Sequence, residues 1–177
     1  MPDVPKHILV IRLSAMGDVA MTVPVIQALT DQHPHLKITV LTRAFFKPFF
    51  NDIKQVSVVV ADVKGKHKGV LGLYKLAREL NKDHDFYAIA DLHNVLRSQV
   101  LKIFLKSKCA STLNKGRKEK KALIKGELFK PLKTTHQRYA EVFEKLGFPI
   151  DLSKPNFLEK RTLSKKVLSL LGNTRLF

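Results

Sequence analysis

His7-Ile8-Leu9-Val10-Ile11-Arg12-Leu13-Ser14-Ala15-Met16-Gly17-Asp18-Val19 is the stretch on which the reading of this chain turns. Its opening run of aliphatic residues has no polar alternation, which predicts a short strand buried on both faces, as in a parallel sheet. The run breaks into a loop carrying Gly17 and the carboxylate Asp18. Residues 19–32 then read as a helix, with Asp18 as its N-cap candidate and Pro24 in its early turns. The same unit recurs downstream. Residues 37–41 predict a strand followed by a short apolar helix over 45–50. Residues 56–60 predict a third strand, and Leu73, Leu76, Ala77 and Leu80 lie on one face of a helix over 71–81. A fourth strand over 87–92 leads into a helix over 95–105, and 109–113 reads as a fifth strand. The lysine-rich stretch beyond it reads as a loop with partial helix, and 135–146 as a further helix. Short strands alternating with helices give an α/β fold, a Rossmann-like, doubly wound, mostly parallel sheet. Ligands of such sheets bind beyond the carboxyl ends of the strands, so the loops after the strands are where function is sought.

A length of 177 residues fits one domain. The division expected is a domain over 1–147, then a proline-bearing linker over 148–177 with one more helix over 163–171. Hydrophobic content of 45% and charged content of 27% are those of a globular chain, which excludes global disorder. No apolar run reaches the ~18 residues of a membrane-spanning helix, and Met1-Pro2-Asp3 does not open a secretory leader. The single cysteine, Cys109, excludes an internal disulfide framework and a cysteine-only metal site. These features lead us to expect a cytoplasmic protein. With 32 Lys+Arg against 15 Asp+Glu the formal charge is +17. Residues 102–133 hold eleven of the cations and two acids, and so supply +9 of that total. Such a concentration points to a polyanionic partner: nucleic acid, an anionic lipid surface or a phosphorylated substrate.

Three places carry chemistry. After the first strand, Ser14, Met16 and Gly17 surround Asp18. The loop has only one glycine, so neither a dinucleotide fingerprint nor a Walker A loop is present. A carboxylate at a helix N-terminus, beside free backbone N–H groups, either caps the helix or acts as a general base toward a substrate hydroxyl. After the fourth strand, Asp91-Leu92-His93-Asn94-Val95-Leu96-Arg97-Ser98 offers Asn94 and Ser98 as hydrogen-bond donors and Arg97 as a fork for phosphate or carboxylate. Asn94 is equally a candidate N-cap, and His93 is given no catalytic role. The third place is the basic loop with Lys115 and Arg117, followed by His136 and Arg138 at the start of the last helix. It is either a solvated face or a phosphate-docking surface. Sparse aromatics and the lack of zinc-finger, homeodomain or RNA-recognition signatures argue against specific nucleic-acid readout.

Taken together, these places resemble the N-terminal domain of family 9 glycosyltransferases, the heptosyltransferases of the lipopolysaccharide core. The likeness rests on Arg12-Leu13-Ser14-Ala15-Met16-Gly17-Asp18-Val19 with Pro24, on Asp91 with Asn94, Arg97 and Ser98, on Lys115-Gly116-Arg117, and on His136 with Arg138-Tyr139. His93 stands where many members carry glutamine. The resemblance implies the N-terminal half of a GT-B architecture and an inverting transfer that needs no bound metal. It implies Asp18 as the general base and Ser14, Met16, Gly17, Asn94, Arg97, Ser98, Lys115, Arg117, His136 and Arg138 along the acceptor side. No cofactor is implied. The nucleotide-sugar donor, ADP-heptose or similar, is a substrate held mainly by a C-terminal domain that these residues do not include. The chain is therefore expected to be a cut piece or a truncated gene product, inactive alone. The partner implied is an anionic glycolipid acceptor reached by peripheral contact with the inner membrane surface. The alternative reading is a stand-alone basic module that binds nucleic acid or anionic membrane. Composition gives no oligomeric state.

Overall fold

The computed structural model describes residues 5–153 and Ser169. Five strands, β1 (His7–Ile11), β2 (Lys37–Thr42), β3 (Val56–Val60), β4 (Ala88–Asp91) and β5 (Cys109–Thr112), form one sheet in the order β3-β2-β1-β4-β5. Every pairing is parallel, with Ile11 opposite Leu41 on one side and Asp91 on the other. The chain builds outward from β1 to β3, then returns to set β4 on the other flank of β1. The topological switch point therefore lies between β1 and β4, where a doubly wound sheet opens a crevice. The expected fold class is the one observed.

The aliphatic run of β1 is explained by its two neighbours. Ile8 and Val10 face a layer with Val25, Ile26 and Leu29 of α2 (Val23–Gln32) and Tyr139, Val142 and Phe143 of α6 (Thr135–Glu144). Leu9 and Ile11 face the opposite layer, with Leu73, Leu76, Ala77 and Leu80 of α3 (Gly69–Asp83) and Leu101 of α4 (Leu96–Phe104). Alternate residues thus serve two cores, and no position of β1 after His7 is left for a polar side chain. The polar His7 is itself buried at the start of the strand. Its Nε2 lies 2.8 Å from Thr39 Oγ1, and burial, aided by the charge of Lys37, pushes its pKa down to about 4.

Several boundaries differ from expectation for local reasons. The helix expected over 19–32 is two helices, α1 (Met16–Ala20) and α2. Pro24 has no N–H for the Ala20 carbonyl and its ring crowds that oxygen, so the chain breaks at Met21–Thr22. Thr22 Oγ1 donates to Val19 O at 2.6 Å across the break. Asp18 is consequently not an N-cap. Ala15 holds that position, and Asp18 is the third residue of α1. The apolar 45–50 segment is a 3-10 helix over Ala44–Phe50. The basic stretch contains a regular helix, α5 (Arg117–Ile124). Residues 148–153, expected to begin a linker, lie against α2: Phe148 is buried, and Gln32 exchanges two hydrogen bonds with the Asp151 backbone at 2.8 and 2.9 Å. The helix expected over 163–171 lies outside the described residues apart from Ser169. Among the described residues no helix is long and apolar enough to cross a membrane.

Candidate functional site

Two backbone hydrogen bonds continue the ladders past the strand ends, Arg12 N to Leu41 O and Leu92 N to Ile11 O, both 3.1 Å. They set Arg12 at the mouth of the switch point, where its side chain turns inward and is only 5% exposed. Nη1 donates to the Leu92 carbonyl, and Nη2 forms an ion pair with Asp18 Oδ2. The guanidinium also lies 5.9 Å from the Tyr139 ring centroid, while the Tyr139 hydroxyl donates to the Asp18 carbonyl at 3.3 Å. Burial raises the Tyr139 pKa and keeps that hydroxyl a donor. Asp18 is therefore held twice, by its side chain and by its backbone. Its carboxylate nevertheless remains 47% exposed. Neither Arg12 nor Tyr139 was singled out by sequence as a site residue. Their signal is present in hindsight: an arginine directly after a buried strand has nowhere to go but into the crevice.

The loop after β4 is organised by Asp91, which is fully buried. Its Oδ1 accepts from the backbone N–H of His93 and of Asn94 at 3.0 and 2.9 Å, and its Oδ2 pairs with Lys102 Nζ at 2.9 Å. Lys102 donates also to Thr112 Oγ1, which ties β5 to α4. Two N–H groups, one cation and a neighbouring strand thus fix this turn. His93 lies beneath it, with Nε2 3.3 Å from Ser14 Oγ. Burial first, and then the positive charge of Arg12, push its pKa down to about 4, against the opposing pull of Asp91. The imidazole is neutral at pH 7 and joins the β1 and β4 loops, a role that the sequence did not assign to it.

Asn94 does not cap α4. Val95 stands at the N-cap, and Asn94 adopts a left-handed backbone with φ of 47°. Its amide is used internally: Nδ2 donates to Leu113 O at 2.7 Å and Oδ1 accepts from Gln99 Nε2 at 3.0 Å. Lys115 Nζ donates to the Asn94 carbonyl at 2.9 Å, so the β4 and β5 loops are clamped in both directions. Burial, followed by the charges of Arg117 and Arg12, lowers the Lys115 pKa. Ser98 is fully buried and spends its hydroxyl on Val95, accepting from its N–H at 3.1 Å and donating to its carbonyl at 2.9 Å. Arg97 and Arg117 are exposed. Arg138 is buried, with Nη2 2.7 Å from Glu119 Oε2. Its guanidinium lies under Gly116, where an added Cβ would stand 2.4 Å from Arg138 Cζ. Gly116, at φ 62°, lets the loop close over that side chain. His136 is half-buried as the second residue of α6, and Met16 is exposed at the start of α1.

The predicted residues consequently fall into two groups. Ser14, Met16, Gly17 and Asp18 gather at the β1 end, where Arg12 and His93 join them to β4. Asn94, Lys115 and Arg117 line a groove of about 890 Å³ together with Val95, Leu96, Gln99, Asn114, Gly116, Lys118 and Glu119. Asp18 is beside this groove rather than among its lining residues. Lys115 joins the two, because it senses Asp18 and Asp91 as well as Arg12 and Arg117. Ser98 and Arg138 support the walls from beneath. The result is an open carboxylate next to a cationic, partly enclosed groove, suited to an anionic ligand that presents a hydroxyl.

No protein-family model matches the chain. Over 106 residues, 60% of its length, the chain is 27% identical to the lipopolysaccharide core heptosyltransferase OpsX of Haemophilus influenzae, of which it covers 29%. Among solved structures it is similar to a family 9 glycosyl transferase from Veillonella parvula, with a TM-score of 0.73 and 20% identity, over 98% of this chain and 52% of that one. It is similar also to the E. coli heptosyltransferase WaaC with ADP, with a TM-score of 0.61 and 17% identity, over 85% and 50%. The E. coli ADP-heptose heptosyltransferase II gives a TM-score of 0.54 at 18% identity. The chain is thus similar in sequence to a heptosyltransferase over 60% of its length, and its described residues share the fold of these glycosyltransferase structures. It spans about half the length of these solved structures.

Proposed function

We propose that this chain is the acceptor-side half of an inverting glycosyltransferase. In this reading a heptose or related sugar moves from a nucleotide-sugar such as ADP-heptose to an acceptor of the lipopolysaccharide-core type. The observation that carries it is the half-exposed Asp18 carboxylate, fixed at the β1–β4 switch point beside a cationic groove. Arg12 engages Oδ2, which leaves Oδ1 for a substrate hydroxyl. Asp18 takes the proton of that hydroxyl as its oxygen attacks the anomeric carbon from the face opposite the leaving group. The nucleoside diphosphate departs with the bonding electron pair, and the configuration inverts. Lys115, Arg117 and Arg97 hold phosphates or carboxylates of the acceptor, and His136 contributes to the same acceptor side. A second domain outside these residues would hold the donor, so the chain alone binds acceptor without turnover. The acceptor's lipid places the protein at the cytoplasmic side of the inner membrane.

The test joins the chain to a donor half and follows product mass from ADP-heptose and a lipopolysaccharide-core acceptor. Asp18→Ala is expected to lower transfer by about 10²–10⁴, the usual worth of a general base, while acceptor binding persists. Transfer at near wild-type rate by that variant would remove Asp18 as the base.

A further inference from the structure

We propose that α5 and the turn that follows it, residues 117–130, dock on an anionic lipid surface, with Ile124 and Phe129 entering the bilayer interface. The proposal deepens the acceptor reading and rests on it for its purpose, though not for its test. None of the eight residues of α5 is buried. Ile124 is 86% exposed and Phe129 89% exposed, although both are large and apolar. The helix ends in a Schellman closure at Gly126 (φ 74°), with Gly126 N donating to Leu123 O and Glu127 N to Ala122 O. That closure folds the chain back so that the Phe129 ring passes Gly126, where a Cβ would sit 3.6 Å from the ring. Ile124 and Phe129 therefore emerge at the same end of α5.

The charges are sorted around this end. At 100° per residue, Ile124 shares its face with Arg117, Lys120 and Lys121, while Glu119 and Ala122 lie on the opposite face and Leu123 on the flank between. Glu119 is turned to the protein by its pair with Arg138. Among the described residues Arg117, Lys118, Lys120, Lys121 and Lys130 have no carboxylate partner, and Lys125 meets Glu127 only at 3.5 Å, with both more than half exposed. Single exposed apolar residues are ordinary on protein surfaces. Two bulky ones, ringed by unpaired cations with the acid turned away, match the residue distribution of a helix that lies in a membrane interface. The lysine stems spread over the apolar layer and carry their ammonium groups to the phosphates. A nucleic-acid surface would use the same cations but gives Ile124 nothing to do. The arrangement also suits the groove. Arg117, Lys118 and Glu119 line it at the other end of α5. Seven residues of helix put that wall about 10 Å from Ile124, so a sugar chain can reach the groove while its lipid stays in the bilayer.

Sedimentation of the full chain with phosphatidylcholine vesicles, with and without phosphatidylglycerol, tests this. No glycolipid is present, so the outcome is independent of the acceptor. Binding is expected on the anionic vesicles only, weakening with salt. Ile124→Ser with Phe129→Ser should weaken it at least tenfold without changing the circular dichroism or Tm. Lys120→Gln, Lys121→Gln and Lys125→Gln together should weaken it about a hundredfold, at roughly fivefold per lysine. Because the chain has no tryptophan, F129W supplies a single fluorescent probe, and its emission should shift to the blue on anionic vesicles. Absence of vesicle binding, undiminished binding by the double serine variant, or an unshifted probe on bound protein each overturns the proposal. So does salt-sensitive duplex DNA binding that displaces vesicles and ignores the serine changes. Vesicle binding without acceptor binding removes the acceptor and leaves this surface standing, and the converse removes this surface alone.

Discussion

Arg12 and Asp18 differ in what they do for the fold, and a double-mutant cycle separates the two roles. Arg12→Met keeps most of the buried stem but removes three interactions: the ion pair with Asp18, the bond to Leu92 O and the contact with the Tyr139 ring. Leu92 is fully buried, so its carbonyl loses a charged donor with no water to replace it. A buried acceptor left unpaired costs about 1–3 kcal/mol. Release of the desolvated guanidinium, whose Nε has no partner among the described residues, offsets part of this. The net expectation is a loss of about 2 kcal/mol. Asp18→Asn leaves an oxygen for Arg12 and acts on a side chain that is 47% exposed, where water screens the remaining charge. That change should cost about 1 kcal/mol or less.

Once Arg12 is gone, Asp18→Asn has no ion pair left to break and removes only the weaker, longer-range attraction to Lys115. The double variant should therefore match Arg12→Met alone, with an interaction energy of about 1 kcal/mol in magnitude. Urea unfolding followed by far-UV circular dichroism reads these differences directly. With a slope of about 2 kcal/mol per molar urea, the midpoint falls by about 1 M for Arg12→Met and about 0.5 M or less for Asp18→Asn. A larger fall for Asp18→Asn than for Arg12→Met would refute the assignment of Arg12 as the organiser of the crevice. The expected order also matters for chemistry. If Asp18→Asn scarcely alters stability, a loss of transfer in the joined enzyme reports proton abstraction and not unfolding.

Acid should destabilise the domain through its two buried imidazoles. His7 and His93 are held near pKa 4 against an ordinary 6.5, so below pH 6.5 the unfolded chain takes up protons that the folded chain refuses. Stability is complete above that pH and falls as pH drops toward 4, by up to about 1.4 kcal/mol per pH unit for each histidine. Urea midpoints between pH 7 and 4.5 check this, and replacement of both by glutamine should flatten the slope; a wild-type midpoint constant over that range would defeat the reasoning. Gly116→Ala forces a Cβ onto the left-handed backbone and into Arg138, and should cost about 1–2 kcal/mol, seen as a Tm lower by about 2–8 °C. An unchanged Tm would mean that Arg138 yields freely. Asn94 reverses a usual order: both Asn94→Ala and Asn94→Gly lose the bond to Leu113 O, but glycine tolerates φ of 47°. Thermal melts should place Asn94→Gly above Asn94→Ala, and the opposite ranking would show that the backbone there is not held.

The fold was legible because its signal is short-range and redundant. Each strand is an apolar run, each helix a periodic one, and their alternation leaves few topologies. The boundaries that moved did so where one residue's covalent chemistry overrode the pattern, as Pro24 does in dividing α1 from α2. The site was legible as a set of loops, since strand ends mark where ligands bind. What each side chain does within those loops was not. Ser98 reads as a free hydroxyl in sequence and is spent on Val95 in the structure. His93 reads as a loop histidine and is the contact between Ser14 and the β4 turn. Such roles depend on residues some 80 positions apart becoming neighbours at the switch point, which no local pattern encodes.

The charge shows the same divide most sharply. Counted along the chain, residues 102–133 form one basic block. In space the block separates by partner. Lys102 is drawn inside to Asp91, Lys115 to the Asn94 carbonyl, and Lys133 pairs with Glu141. Arg138, just outside the block, takes Glu119 and so removes one of its two acids from the outer face. Among the described residues, the cations of the block without a carboxylate partner are mostly those around α5, the segment that also exposes Ile124 and Phe129. The net charge of the block is thus no measure of a single surface. Part of it builds the groove by desolvated bonds that salt does not reach, and part is left outside, where salt screens it. Raising ionic strength should therefore weaken docking through α5 while leaving the groove's own architecture, and the urea midpoint that reports it, nearly unchanged. If both decline together, the two sets of lysines are one set after all.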